Sequence, residues 1–401
     1  MRILFLAHRL PFPPDKGDKI RSFHLLAYLA ARHEVHVACP IDNAADLEHV
    51  ESLRCQVHGL EFVRMDGLFS KLQRGLALLT GQPVSLRAFY SRRLQSQVDS
   101  LLSRLRFDCV FVYSSPMAQY VFRSRHWPDA RRGMRMLADF IDVDSAKWSN
   151  YAASCPGVLQ WPRRWLFRRE ARLLAAHECR VGREFDKVFL VTDAERNELP
   201  AGVQQEKVLA LANGVDLEYF SHVPAPPARP ARVAFTGVMD YWPNVEGVLW
   251  FVNEVWPMVR AANPDAHFDI VGRNPSPAVR KLEANPGVCV TGFVPDVREH
   301  VSAAQVCVAP LRIARGVQNK VLEAMAMGRH VVCTPQALEG ISADVGKEAL
   351  VADDPLSFSR AINQLLSDPG KAAEIGTAGL AYVTRNHRWS DTLAALDELL
   401  A

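Results

Sequence analysis

Short apolar runs recur along the chain, with helical patterns between them. In the first half the runs are residues 3–7, 35–39, 60–65, 109–113, 134–141 and 187–191. In the second half they are 232–235, 267–271, 288–291, 306–309, 330–334 and 349–352. Their length and near-continuous apolar character fit strands buried on both faces, as in parallel sheets. Residues 19–32 place Phe23, Leu25, Leu26, Leu29 and Ala30 at helical spacing, and segments such as 92–104, 162–177, 246–260, 319–327, 355–367 and 372–385 read as helices too. Strands alternating with helices imply βαβ units. The alternation is interrupted at residues 223–230, where four of eight residues are proline, and then begins again. Such a run is a stiff linker. It divides the chain into a domain at 1–220 and a second at 221–387, with a last helical segment, 388–401, expected to return to the first. The expected fold class is α/β, with two doubly wound parallel sheets.

Composition narrows the class. Of 401 residues, 49% are hydrophobic and 23% charged, as in soluble globular proteins. No apolar run approaches the ~20 residues that span a bilayer, and the first eight residues read as a strand rather than a secretory signal. Eight cysteines are scattered without metal or redox spacing, and the thirteen histidines show no zinc spacing, so the expectation is a reducing cytosol and no metal. Charge is uneven. Residues 1–220 carry 31 Lys and Arg against 25 Asp and Glu, a net +6, and residues 221–401 carry 16 against 19, a net −3. The basic half is the one expected to meet an anion. Within it, Trp161-Pro162-Arg163-Arg164-Trp165-Leu166-Phe167-Arg168-Arg169, together with Arg87, Arg92 and Arg93, fits either a solvated basic face or a surface that rests on anionic lipid headgroups. Nucleic acid fits less well, because no binding motif accompanies the charge.

The candidate chemistry centres on residues 307–334. A buried strand leads into a turn with Gly316, then a helix from Asn319 with Gly328 at its expected C-cap, then a second buried strand. Backbone N–H groups at such a helix start suit a phosphate, which makes Gly316, Val317, Gln318, Asn319 and Lys320 the expected phosphate loop. Lys320 and Glu323 share a helix face, so a cation beside the phosphates and a carboxylate at a ribose is one reading; an ordinary solvated crossover is the other. Gly237, Gly272 and Gly292 follow strands directly, where backbone approaches ligands closely. In the first half, the loop at residues 11–19, with Gly17 and Asp18, is either a ligand loop or a rigid turn with Asp18 as a cap; it lacks the Gly-x-Gly-x-x-Gly spacing. Asp139, Asp142 and Asp144 end a strand, with Asp142 and Asp144 on one face and Asp139 on the other. They fit acid–base or hydroxyl-binding roles, or capping of the next helix by Asp144 or Ser145.

Three strings carry a resemblance: Pro13-Pro14-Asp15-Lys16-Gly17-Asp18-Lys19-Ile20-Arg21-Ser22-Phe23, Asp139-Phe140-Ile141-Asp142-Val143-Asp144-Ser145-Ala146-Lys147-Trp148 and Gln318-Asn319-Lys320-Val321-Leu322-Glu323-Ala324-Met325-Ala326-Met327-Gly328. With the Asn213-Gly214-Val215-Asp216 turn and the proline linker, the chain resembles family 4 glycosyltransferases of the GT-B fold, in particular the sugar transferases found with exosortase-linked exopolysaccharide loci. The resemblance implies two Rossmann-like domains facing across a cleft. It implies retaining, metal-independent sugar transfer from a nucleotide-sugar, UDP- or GDP-linked, to a glycan or lipid-linked acceptor in the cytoplasm or at the inner membrane face. Glu323 matches the family's ribose-binding Glu. The partner Glu of that signature falls on Arg315, and the family's Arg and Lys after the first strand of the second domain are missing from Thr236-Gly237-Val238-Met239-Asp240-Tyr241-Trp242-Pro243-Asn244. Arg312 and Lys320, with Arg315, are then the expected source of positive charge. A catalytic-edge His of the family is also missing, leaving Asp142 as substitute. These departures keep open a nucleotide-sugar epimerase of the same fold and a non-catalytic nucleotide-sugar-binding component.

Overall fold

The computed structural model describes residues 1–65, 77, 81–127, 133–155, 160–221, 231–314 and 316–401. The proline linker therefore falls outside the described residues, as does Arg315. The chain forms two units, Met1–Leu211 with Ala395–Ala401, and Ala212–Ala394.

The first unit carries a parallel sheet of strands β1 (Arg2–Ala7), β2 (Glu34–Ile41), β3 (Gly59–Arg64), β4 (Cys109–Tyr113), β5 (Arg135–Asp139), β6 (Lys187–Leu190) and β7 (Val208–Ala210), in the order β3-β2-β1-β4-β5-β6-β7. The second carries β8 (Arg232–Thr236), β9 (His267–Val271), β10 (Val288–Gly292), β11 (Val306–Ala309), β12 (His330–Cys333) and β13 (Leu350–Val351), in the order β10-β9-β8-β11-β12-β13. The same winding occurs twice: each sheet starts near its middle, grows to one edge, then crosses back and grows to the other. Strand order reverses between β1 and β4 and between β8 and β11, and in doubly wound sheets the crevice at such a reversal is where ligands bind. These two Rossmann-like sheets are the GT-B architecture.

Interior side chains come from both sheet faces. Phe5, Phe111 and Phe189 stack in sequence in the first unit, with centroids 5.4 and 5.9 Å apart. Phe251, Trp256, Phe268 and Phe358 cluster in the second. Each fully buried aromatic contributes about 1.5–3 kcal/mol.

The structure differs from the sequence reading at several places. Strand β7 went unread because three residues carry no period. The single helix expected over 246–260 is instead Trp242–Trp250, a π-helical turn Phe251–Val255 and Trp256–Ala262. Pro257 explains the break: it has no N–H to donate one turn back, and the helix widens to accommodate its ring. The continuous part of the first unit ends at Leu211. Residues 212–221 pack with the second unit, where the Asn213 carbonyl meets His387 Nδ1 (2.9 Å) and Asn213 Nδ2 donates to Asn319 Oδ1 (3.2 Å). At the other end, residues 388–394 stay with the second unit, and Tyr28 donates to Asp397 (2.8 Å) in the first.

Candidate functional site

In the second unit, Gly237 closes β8 and Gly272 closes β9. A Cβ on Gly272 would lie 1.6 Å from the Gly237 carbonyl oxygen, and Gly272 has φ +152°. Only glycine allows this crossing, which brings the backbone after β8 and β9 into contact. The helix Asn319–Ala326 follows β11 and the Gly316 turn, where φ is +59°. Gly340 backs that turn, since a Cβ there would come within 2.7 Å of Gly316 C and Val317 N. Gly328 ends the helix as expected, with φ +64°: Arg329 N donates to the Ala324 carbonyl and Gly328 N to the Met325 carbonyl, both at 2.9 Å.

Lys320 reaches from this helix across the β8–β11 reversal. Its Nζ donates to Asn244 Oδ1 (2.7 Å) and lies 4.2 Å from the centroid of the Phe235 ring. A Cβ on Gly237 would lie 3.2 Å from the same Nζ. Burial pushes the lysine down to about 7, against the pull of Glu323, and pushes Glu323 up to about 7, against the pull of Lys320. Both are half-buried. Gln318 holds the N-cap position without a side-chain cap, Val317 is buried, and Asn319 takes the Asn213 amide. The resulting site pairs an ammonium at the backbone of Gly237 with a carboxylate one turn deeper. Arg312 lies on the loop between β11 and this helix. Its side chain is 55% exposed and pairs with Glu246 at 3.4 Å, because the loop after β11 turns it toward the helix Trp242–Trp250. Met239, in the stretch where the family's cations are missing, is fully buried.

In the first unit, Asp139 is fully buried. It accepts two hydrogen bonds from Arg21 (2.9 and 2.6 Å) and one from Ile141 N (2.9 Å). With no solvent contact and both oxygens engaged, Asp139 ties the first helix, Gly17–Ala30, to the turn after β5, where Ile141 has φ +67°. Asp142 stays 41% exposed, 3.4 Å from Lys147 Nζ. Asp144 begins the helix Asp144–Ala153 instead of capping it; Val143 is at the N-cap. Burial pushes Asp144 up to about 6. Ser145 does not cap either, since its N–H and hydroxyl both go to the buried Glu178 carboxylate. Asp18 is no cap: it lies in the first turn and accepts from His8 Nε2 (3.1 Å) and Arg9 (2.9 Å), while Tyr113 donates to its carbonyl (2.6 Å). Those partners hold its carboxyl well below the usual range against the cost of burial. Gly17 opens the helix.

Sequence reasoning missed Asn244, Gly340 and His8 as members of these two edges. Asn244 stood inside the quoted stretch after β8, but only folding shows that its amide meets a lysine 76 residues away.

Residues 230–368 match the family of glycosyl transferases group 1. That segment holds Gly237, Asn244, Gly272, Lys320 and Glu323. Among curated proteins, an uncharacterized 44.6 kDa protein in the cps region of Klebsiella pneumoniae is 21% identical over 215 residues, 52% of this chain and 54% of that one. The chain thus spans about half of that relative. A GDP-mannose-dependent alpha-(1-6)-phosphatidylinositol monomannoside mannosyltransferase of Mycolicibacterium smegmatis is 28% identical over 313 residues, 68% of this chain and 80% of that one. Among solved structures, Anabaena Alr3699/HepE in complex with UDP superposes with a TM-score of 0.68 at 16% identity, over 100% of this chain and 99% of that one.

Proposed function

We propose that this protein is a retaining, metal-independent glycosyltransferase that moves a hexosyl group from a UDP- or GDP-linked sugar to a glycan or lipid-linked acceptor in exopolysaccharide assembly at the cytoplasmic side of the membrane. One observation carries the reading: the Lys320 ammonium, hydrogen-bonded to a neutral amide oxygen, rests beside Gly237 with Glu323 one turn away. A cation so placed attracts an anion. In support, this geometry falls within the matched segment, one relative is GDP-mannose-dependent, and one structural neighbour was solved with UDP.

In this reading the second unit holds the donor, with Gly316, Val317, Gln318, Asn319 and Lys320 at the diphosphate and Glu323 at the ribose hydroxyls. Transfer breaks the bond between the anomeric carbon and the phosphate oxygen, and charge builds on the leaving diphosphate. Lys320 and the N–H groups at the helix start then stabilise the transition state more than the ground state. Asp142, half-buried after β5 in the first unit, is a carboxylate available on the acceptor side. The first unit also offers an anionic membrane a surface, with Trp161 and Trp165 62% and 53% exposed on a helix whose Arg163 and Arg168 are exposed too.

Calorimetric titration with UDP and GDP tests the donor site. One of the two is expected to bind, and Glu323→Ala to weaken it by about 1–3 kcal/mol as ribose hydrogen bonds are lost. Binding of neither nucleotide to the wild type ends the proposal.

A further inference from the structure

The lysine is held by a specific device. Lys320 Nζ donates to Asn244 Oδ1 at 2.7 Å, and Asn244 Nδ2 donates to the Val238 carbonyl at 3.0 Å. Asn244 is 6% exposed. The amide is therefore oriented at both ends, with its nitrogen anchored on the backbone just after β8 and its oxygen presented to the ammonium. The Phe235 ring closes the cradle at 4.2 Å from Nζ. Gly237 leaves the remaining side open, because a Cβ there would come within 2.7 Å of Asn244 Nδ2 and 3.2 Å of Lys320 Nζ.

We infer that Asn244 is a positioning residue for diphosphate recognition: it bridges Lys320 to the Val238 carbonyl, so that a cation arising after β11 stands at the backbone after β8. This rests on the donor-site reading above and adds to it how the cation is placed. The choice of an amide has a physical reason. A carboxylate at position 244 would bind the ammonium more strongly but would neutralise it and repel an incoming anion. An amide fixes the geometry and adds no negative charge of its own. A flexible lysine without the bridge would lose rotamer freedom on each binding event. The bridge removes that loss beforehand, which is the general advantage of preorganisation.

The test is calorimetric binding of UDP, GDP, uridine and guanosine to the wild type, Lys320→Met, Asn244→Ala, Asn244→Asp and the double variant Lys320→Met/Asn244→Ala. Circular dichroism melts run alongside. Asn244→Ala and the nearly isosteric Asn244→Asp are expected to weaken the nucleoside diphosphate at least tenfold and the parent nucleoside less than twofold. In the Lys320→Met background, Asn244→Ala should add less than twofold. Asn244 variants that bind the diphosphate like the wild type overturn the inference. So does equal weakening of nucleoside and diphosphate, or an undiminished Asn244→Ala effect when Lys320 is already gone; either marks a merely structural residue. The failures are separable. If the wild type binds neither UDP nor GDP, the donor-site reading falls first. If Lys320→Met loses diphosphate binding and Asn244→Ala does not, only the positioning role falls.

Discussion

The Lys320 ammonium gives up its proton near neutral pH because burial disfavours its charge, while Glu323, one turn along, is the described charged group that acts on it in the opposite direction. The lysine is lowered to about 7. A lowered lysine binds an anion fully at pH values below that figure and loses binding as pH rises through it, since only the ammonium attracts phosphate. A bound anion raises the lysine's pKa again, so the fall extends upward from about pH 7. Glu323 ionises over the same interval and moderates it by favouring the ammonium. UDP or GDP affinity measured from about pH 7 to 9 should fall by up to about tenfold per unit in the wild type and stay nearly flat in Lys320→Arg, whose guanidinium keeps its proton. An equal slope in both proteins would assign the titration elsewhere. Asp139 makes the complementary point. Its sequence context at a strand end suits catalysis, yet its partner Arg21 is 118 residues away and the pair is buried. Breaking such a pair by removing one member costs about 3–5 kcal/mol, as expected of an architectural contact.

At the scale of elements, the strands other than β7 and the longer helices were legible because buried parallel strands read as apolar runs and amphipathic helices keep their period. The helix Arg92–Arg104 and the strands Cys109–Tyr113, His267–Val271 and Val306–Ala309 match their sequence bounds. The π turn at Phe251–Val255 escaped because periodicity does not register a local change of pitch. The glycines after strands were read as points of close approach, and the Gly237–Gly272 crossing gives that a measurable consequence. Gly272→Ala forces a Cβ to within 1.6 Å of a carbonyl. It should lower stability by about 1–3 kcal/mol through overpacking and displace Gly237, weakening diphosphate binding more than tenfold. Gly292→Ala is the control: φ is +72° but the added Cβ meets nothing within 4 Å, so it should cost about 1 kcal/mol of conformational strain and leave nucleotide affinity intact. Equal effects of the two on binding would argue against the crossing as the determinant.

For the whole molecule, the charge asymmetry gives the membrane proposal its test. Among the described residues no helix is long and apolar enough to cross a membrane. Attachment through the helix Trp161–Glu184 would instead be interfacial, with tryptophans inserted and arginines facing anionic headgroups. Each basic residue near such a surface contributes about 1 kcal/mol, screened by salt. Cosedimentation with phosphatidylglycerol-containing vesicles is therefore expected, weakened by added salt and by Trp161→Ala/Trp165→Ala, with little binding to phosphatidylcholine alone. Indifference to lipid charge or to both tryptophans would remove the membrane from the picture.

By itself the sequence determined the alternation of strand and helix, the restart of that alternation after a proline run, and a helix that carries Lys320 and Glu323 on one face. These are local properties, written in the spacing of apolar side chains and in the backbone limits of glycine and proline. Tertiary structure decided which polar groups meet: Asp139 with Arg21, Lys320 with Asn244, and Arg312 with Glu246. Those pairings join residues far apart in the chain, and they follow from strand order and crossover, which place distant segments at the same sheet edge. No local pattern encodes such proximity, so the scaffold was readable from the sequence and the wiring of its charges was not.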